Sequence, residues 1–100
     1  MNTVFVEIIF SAKDLAKTGI QGRDELEDPL TAALEQSGIA EVTGGGSGMG
    51  LSHIDVEISS EEHLDRGIAT IRRVLQELGV PYSTVIRRNT PKPIEYRIYD

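Results

Sequence analysis

Apolar and polar residues alternate in five segments of the chain. In residues 3–10, the even-numbered side chains from Val4 to Phe10 are all apolar, so they form one face of a predicted strand. The same period of two recurs in residues 39–43, 51–59, 83–88 and 94–99. Because side chains two positions apart point to the same side of a strand, each segment is predicted to turn one face toward a core.

A short helix is predicted directly after the first strand. Ser11 can accept a hydrogen bond from the backbone of Asp14, three residues later, as an N-cap does. Gly19 can end the helix after about two turns, because glycine adopts the left-handed conformation of a C-cap at little cost.

A second helix is predicted within residues 22–38, where leucines recur at helical spacing. Pro29 interrupts this pattern, and a proline in a helix interior removes one hydrogen bond. We therefore predict that Asp28 is the N-cap and Pro29 the first helical residue, with Gly38 just after the end. Residues 23–27 then form an entry turn or a kinked first turn.

The third helix has the strongest pattern. Apolar residues recur every three or four positions between Leu64 and Leu78, which is typical of an amphipathic helix. Ser59 and Glu62 have the spacing of a capping box at its start, and Gly79 follows its end. The spacing predicts a helix over residues 60–78.

The predicted elements follow the order strand, helix, strand, strand, helix, strand, with an added C-terminal strand. This order is similar to that of the ferredoxin-like βαββαβ plait, in which two helices pack on one face of an antiparallel sheet. A chain of 100 residues is long enough for one core and short for two. We therefore predict a single α+β domain over residues 1–100.

The charge balance limits the classes of partner. Sixteen acidic and ten basic residues give a net charge of −6, and residues 1–50 hold eight acids against three bases. Negative charge disfavours nonspecific binding to nucleic acid and to anionic membranes, and it favours a basic protein as partner. We expect a protein partner and neither a nucleic acid nor a membrane.

Residue types and motifs limit the chemistry. Cysteine is absent, which rules out disulfides and thiolate catalysis. The chain has no signal-peptide pattern and no apolar run of about 18 residues, so a cytoplasmic location is expected. Histidine spacings of zinc sites and acidic calcium loops are missing as well. The chain is expected to be noncatalytic, with no cofactor and no metal.

A glycine-rich stretch, TGGGSGMG, joins two predicted strands or partly belongs to them. The span from Gly45 to Gly50 matches a phosphate-binding loop, but Leu51 occupies the position of the required lysine and a strand follows in place of a helix. Two interpretations stay open: a bulged hairpin or flexible tip, and a loop whose backbone amides bind a small anion. For the second, the candidate ligand-binding residues are Gly44, Gly45, Gly46, Ser47, Gly48 and Gly50.

The sheet face opposite the helices is predicted to carry Glu7, His53, Asp55 and Glu57. A histidine with carboxylates can bind a divalent cation or form an acid–base pair. Residues two apart on one strand stand about 6.5 to 7 Å from one another, so a compact site needs a contribution from a neighbouring strand. Ion pairs across the sheet with Arg87 or Arg97 are the simpler expectation.

Three functions are consistent with these patterns. The preferred one is a noncatalytic protein-interaction module, a regulatory subunit or an immunity-like inhibitor, that binds a basic partner. The alternatives are a regulatory domain that binds a small ligand at the glycine stretch, and an enzyme that uses His53 with Asp55 or Glu57. The exposed sheet edge at residues 94–99 is also consistent with a homodimer. The candidate protein-contact residues are Asp24, Glu25, Glu27, Asp28, Glu7, His53, Asp55 and Glu57.

Overall fold

The computed structural model describes residues 3–99, which form a five-stranded antiparallel sheet and three α-helices. The α+β class is thereby confirmed. The elements in chain order are β1 (Val4–Ser11), α1 (Ala12–Lys17), α2 (Asp24–Ser37), β2 (Ala40–Gly48), β3 (Leu51–Ile58), α3 (Leu64–Leu78), β4 (Val85–Arg88) and β5 (Ile94–Arg97). The strand order is β2-β3-β1-β4-β5, and each neighbouring pair is antiparallel.

The two long helices cover one face of the sheet. On β1, the even-numbered side chains such as Ile8 are buried, and they share one apolar cluster with Leu30 of α2 and Ile71 of α3. The odd-numbered side chains of the same strand lie on the other face, where Phe5 is 56% exposed. This arrangement follows from the period of two in the strands, and it leaves one sheet face uncovered.

Helix α1 forms as predicted. The Ser11 side-chain oxygen accepts a hydrogen bond from the backbone N–H of Asp14 at 3.1 Å. The helix ends at Lys17, and Gly19 follows with a φ of +89°. Leu15 anchors the helix because its side chain is buried in the core.

The predicted N-cap of α2, Asp28, is wrong, and of the two arrangements predicted for residues 23–27 the structure has the helical first turn. The helix begins at Asp24, and Pro29 lies inside it. Leu26 is fully buried, and it reaches the core at helical spacing only when the turn before the proline is helical. The side chain of Glu25 accepts a hydrogen bond from the backbone N–H of Gln21, which stabilises this first turn. Local contacts and burial therefore outweigh the hydrogen bond that the proline removes.

The predicted capping box of α3 does not form. A 3₁₀ turn over Glu61–His63 leads into the helix, which begins at Leu64. The hydroxyl of Ser59 lies 2.9 Å from Nδ1 of His63 and is used in that contact. The predicted end is confirmed, because Gly79 follows Leu78 with a φ of +73°.

Strand β2 extends beyond the alternating segment at residues 39–43, and the glycine stretch belongs in part to it, as one of the two predicted arrangements has it. It runs through the glycine stretch to Gly48, whereas the alternating pattern ends at Thr43. The pattern breaks at Thr43 because the pairing with β3 shifts register between Val42 and Gly44, as in a β-bulge. Within residues 3–99, no helix has the length and apolarity needed to cross a lipid bilayer.

Candidate functional site

The glycine stretch forms part of a β-hairpin. Gly44 to Gly48 pair with β3, and Met49 and Gly50 form the two-residue turn between the strands. Met49 has a φ of +54° and Gly50 a φ of +82°, which is the pattern of a type I′ turn. Of the two interpretations of the glycine stretch, the structure has the bulged hairpin.

Two of these glycines make room for side chains on opposite faces of β2. A Cβ atom on Gly45 would lie 2.6 Å from the carbonyl oxygen of His53 and 3.1 Å from Nη1 of Arg23. A Cβ atom on Gly46 would lie 2.9 Å from Nε2 of His53. The glycines therefore allow the Arg23 guanidinium and the His53 imidazole to pack directly against the strand.

Ligand binding by the glycine stretch stays a prediction. Successive amides of an extended strand point to alternate sides, so Gly44 to Gly48 do not converge on one anion as a nest does. The hydroxyl of Ser47 lies 2.9 Å from that of Ser52 on β3, which fixes it across the hairpin.

Three predicted side chains meet on the uncovered face of the sheet. His53 and Asp55 lie two residues apart on β3, and Glu7 of β1 is directly opposite Asp55 in the antiparallel register. The neighbouring strand β1 thus supplies the third side chain, Glu7, that a compact site needs in addition to the two from β3. We call Glu7, His53 and Asp55 the His53 cluster.

The His53 imidazole is the centre of this cluster. Its Nδ1 lies 2.9 Å from Oδ1 of Asp55 and 3.9 Å from Oε2 of Glu7. Since a carboxylate oxygen accepts, Nδ1 is the hydrogen-bond donor to Asp55 in this geometry. Each of the three residues offers one atom that could bind a metal ion, and these three atoms lie within 4.8 Å of one another.

Asn89 orients the carboxylate of Glu7. Its Nδ2 donates a hydrogen bond of 2.6 Å to Oε1 of Glu7. The second oxygen, Oε2, is the one that faces the imidazole. Asn89 lies just after β4, so three segments of the chain together define the position of the cluster.

Glu57 lies apart from the His53 cluster. It belongs to the next set of directly opposed residues on the same face of the sheet, which we call a row. Glu57 is directly opposite Glu41 of β2 on one side and Phe5 of β1 on the other. Within residues 3–99, no Lys or Arg nitrogen lies within 4.0 Å of either carboxylate. Like charges directly opposite one another on adjacent strands are destabilising.

A surface pocket of about 260 Å³ lies beside this row. Both Glu41 and Glu57 line it, together with Thr3 and Ser59. We call Glu41, Glu57 and the neighbouring Phe5 the acidic row.

The acidic residues at the start of α2 are partly engaged in local contacts. Glu27 Oε1 lies 2.7 Å from Nε of Arg23, as an ion pair without the alignment of a hydrogen bond. Glu25 accepts from the backbone of Gln21. Carboxylates in a first helical turn also interact favourably with the helix dipole. A role of Asp24, Glu25, Glu27 and Asp28 in partner binding stays a prediction.

The expected ion pairs across the sheet are wrong. Arg87 is opposite Glu7 in register, but its Nη2 donates to Oε2 of Glu95 on β5 at 2.7 Å. Arg97 lies on β5, an edge strand separated from β1 by β4. The arginines are thus on the β4–β5 side of the sheet, and the carboxylates of the acidic row are on the β2–β3 side.

Two site residues had no predicted role. Glu41 falls in a segment that the sequence pattern recognises as a strand, but its position opposite Glu57 depends on a register that the pattern does not contain. Asn89 lies 82 residues from Glu7 along the chain, and no local pattern relates them.

The chain was compared with protein-family models, curated proteins and solved structures. None of the three comparisons gave a match.

Proposed function

We propose that this protein is a noncatalytic interaction module that binds a basic protein partner through the acidic row. An arginine or lysine side chain of the partner enters the pocket between Glu41 and Glu57. In this proposal, the protein is a regulatory subunit or an immunity-like inhibitor, and the basic partner is the protein that it regulates or inhibits.

The observation that carries the proposal is the pair of opposed carboxylates, which have no Lys or Arg partner within residues 3–99. Opposed like charges cost on the order of 0.2 to 1 kcal/mol on a sheet, and the chain supplies no Lys or Arg to offset this cost among the described residues. A cationic side chain from a partner removes the repulsion and adds charge-assisted hydrogen bonds. Binding then recovers free energy that folding alone does not.

Phe5 adds an apolar contact to this ionic one. It is 56% exposed and directly opposite Glu57. An aromatic ring beside a carboxylate pair suits the guanidinium of arginine, which stacks on aromatic faces and binds carboxylates through two parallel hydrogen bonds. The net charge of −6 speeds the approach of a basic partner over a longer range.

The test is affinity capture from the source cells with three forms of the protein. Wild type is expected to retain a partner that has a basic contact surface, and raised salt is expected to release it. The double variant Glu41→Lys/Glu57→Lys should retain less than about a tenth of that partner, since each new lysine replaces an attraction by a repulsion.

The matched control is Glu35→Lys/Glu77→Lys. It changes the net charge by the same amount at exposed positions on α2 and α3, away from the uncovered sheet face. It should capture the partner nearly as well as wild type. Equal loss in both double variants would contradict a defined site, and a captured partner with an acidic contact surface would contradict the proposal.

The finer assignment of the fold is part of the same proposal. We infer a ferredoxin-like plait in which β1, α2, β2, β3, α3 and β4 are the six core elements and β5 is an addition. The strand order and the position of both long helices on one face support this assignment. Helix α1 is then an insertion between β1 and α2.

A further inference from the structure

We propose that the His53 cluster binds one divalent transition-metal ion, with zinc as the best fit. The ligands are one oxygen each from Glu7 and Asp55 and the Nδ1 atom of His53, which releases to solvent the proton that it otherwise donates to Asp55. The site is separate from the acidic row, and the inference does not depend on the proposed function.

The candidate ligand atoms all lie within 4.8 Å of one another, and the two distances from the imidazole can be compared with those of a metal centre. Two ligands that are each about 2.1 Å from zinc lie about 3.0 to 3.4 Å apart at angles of about 90 to 109°. Nδ1 is 2.9 Å from the Asp55 oxygen and 3.9 Å from the Glu7 oxygen. The cluster therefore needs only a small movement of the long Glu7 side chain to close on an ion.

The surroundings hold the ligands in place. Asn89 donates to Oε1 of Glu7 at 2.6 Å and leaves Oε2 directed at the imidazole. Hydrogen bonds of this kind to ligating carboxylates orient them and raise metal affinity. On the other side, the imidazole packs on Gly46, where a Cβ atom would lie 2.9 Å from Nε2. The glycine thus keeps the ring in the position from which Nδ1 reaches both carboxylates.

The donor set selects the class of ion. One imidazole nitrogen with two carboxylate oxygens suits Zn²⁺ and its first-row neighbours, whereas Ca²⁺ and Mg²⁺ prefer oxygen ligands alone. The three side chains are 32% to 38% exposed, so an ion can enter from solvent. Three protein ligands leave at least one position for water or for a group of a partner.

The test measures binding of Co²⁺ and Zn²⁺ to the full chain, without a histidine tag. Co²⁺ is expected to produce visible d–d absorption bands with one equivalent bound, and Zn²⁺ is expected to displace it. His53→Gln should weaken Co²⁺ binding at least tenfold, and Glu7→Gln should do the same with a side chain of nearly unchanged shape.

The chain offers a matched control in its second histidine. His63→Gln should change the affinity less than twofold, since His63 contacts the hydroxyls of Ser59 and Ser60 and is not part of the cluster. Gly46→Ala should weaken binding by displacing the ring. Amide NMR spectra identify any variant that fails to fold.

Two results would overturn the proposal. One is the absence of binding at millimolar Co²⁺ and Zn²⁺ by folded wild type. The other is binding that His63→Gln removes and His53→Gln leaves unchanged, which would place the ion elsewhere.

Discussion

At the scale of single residues, Thr84 stands out in the core because its side chain is fully buried and polar. Its backbone N–H donates to the carbonyl of Pro81 at 3.0 Å. Its hydroxyl, in contrast, has no hydrogen-bond partner among residues 3–99. A buried hydroxyl without a partner loses its hydration and gains nothing in return.

We expect Thr84→Val to raise the free energy of unfolding by about 1 kcal/mol, because it removes the desolvated hydroxyl and nearly keeps the side-chain shape. Urea unfolding curves measure the change. Thr70→Val is the comparison, since the Thr70 hydroxyl does donate, to the carbonyl of Arg66 at 2.9 Å. A loss of stability in Thr84→Val would mean that the hydroxyl is satisfied in solution.

Tyr99 couples stability to alkaline pH. Its hydroxyl donates to the carbonyl of Val80 at 2.6 Å, and its ring centroid is 4.5 Å from that of Tyr82. Burial, with a smaller contribution from Tyr82, raises the pKa of Tyr99 above its ordinary value. The folded state therefore holds the phenol proton more tightly than the unfolded state does.

The sign of the pH dependence follows from this raised pKa. The contribution of Tyr99 to stability is fully present below about pH 10, the value of an unfolded tyrosine, and it is lost as pH rises through the folded pKa. The difference in unfolding free energy between wild type and Tyr99→Phe should therefore decrease above about pH 10. A difference that stays constant between about pH 8 and 11.5 would contradict the raised pKa.

At the scale of elements, the contact between α3 and the sheet depends on one glycine. A Cβ atom on Gly67 would lie 2.9 Å from Cδ1 and 3.2 Å from Cγ1 of Ile58 on β3. Gly67 is buried, and Ile58 is fully buried. The helix therefore approaches the strand so closely at this point that a side chain on residue 67 would require Ile58 to move.

We expect Gly67→Val to lower the free energy of unfolding by about 1 to 3 kcal/mol through overpacking. Ala69→Val, at an exposed position of the same helix, should cost less than about 1 kcal/mol, which reflects helix propensity alone. Thermal or urea unfolding of both variants gives the comparison. Equal effects in the two variants would contradict the close approach.

The elements that could be predicted are those with a strong local signal. The alternation in β1 and β3 was sufficient to predict both strands, because burial of one face requires an apolar side chain at every second residue. The start of α2 was not predictable from Pro29, since the decisive factor is the burial of Leu26 by distant parts of the chain. The length of β2 was hidden for a related reason: its glycines carry no side chain from which a period can be read.

At the scale of the whole molecule, the sheet separates two charge regions on its uncovered face. Carboxylates concentrate on β2, β3 and β1, while Arg87 and Arg97 lie on β4 and β5. The sequence predicted that Glu7, His53, Asp55 and Glu57 share this face. Their division into two sites was not, because it depends on strand register and on Asn89. The cytoplasmic location and the homodimer stay predictions.

The most direct test of the proposed function is an amide NMR titration with a blocked tri-arginine peptide. At low salt, we expect the largest shift changes at Glu41, Glu57 and Phe5, and we expect Glu41→Gln/Glu57→Gln to abolish them. The neutral double variant is expected to keep the fold, because it removes the repulsion between the two carboxylates. Shift changes centred on residues 24–28, or equal changes in the double variant, would contradict binding at the acidic row.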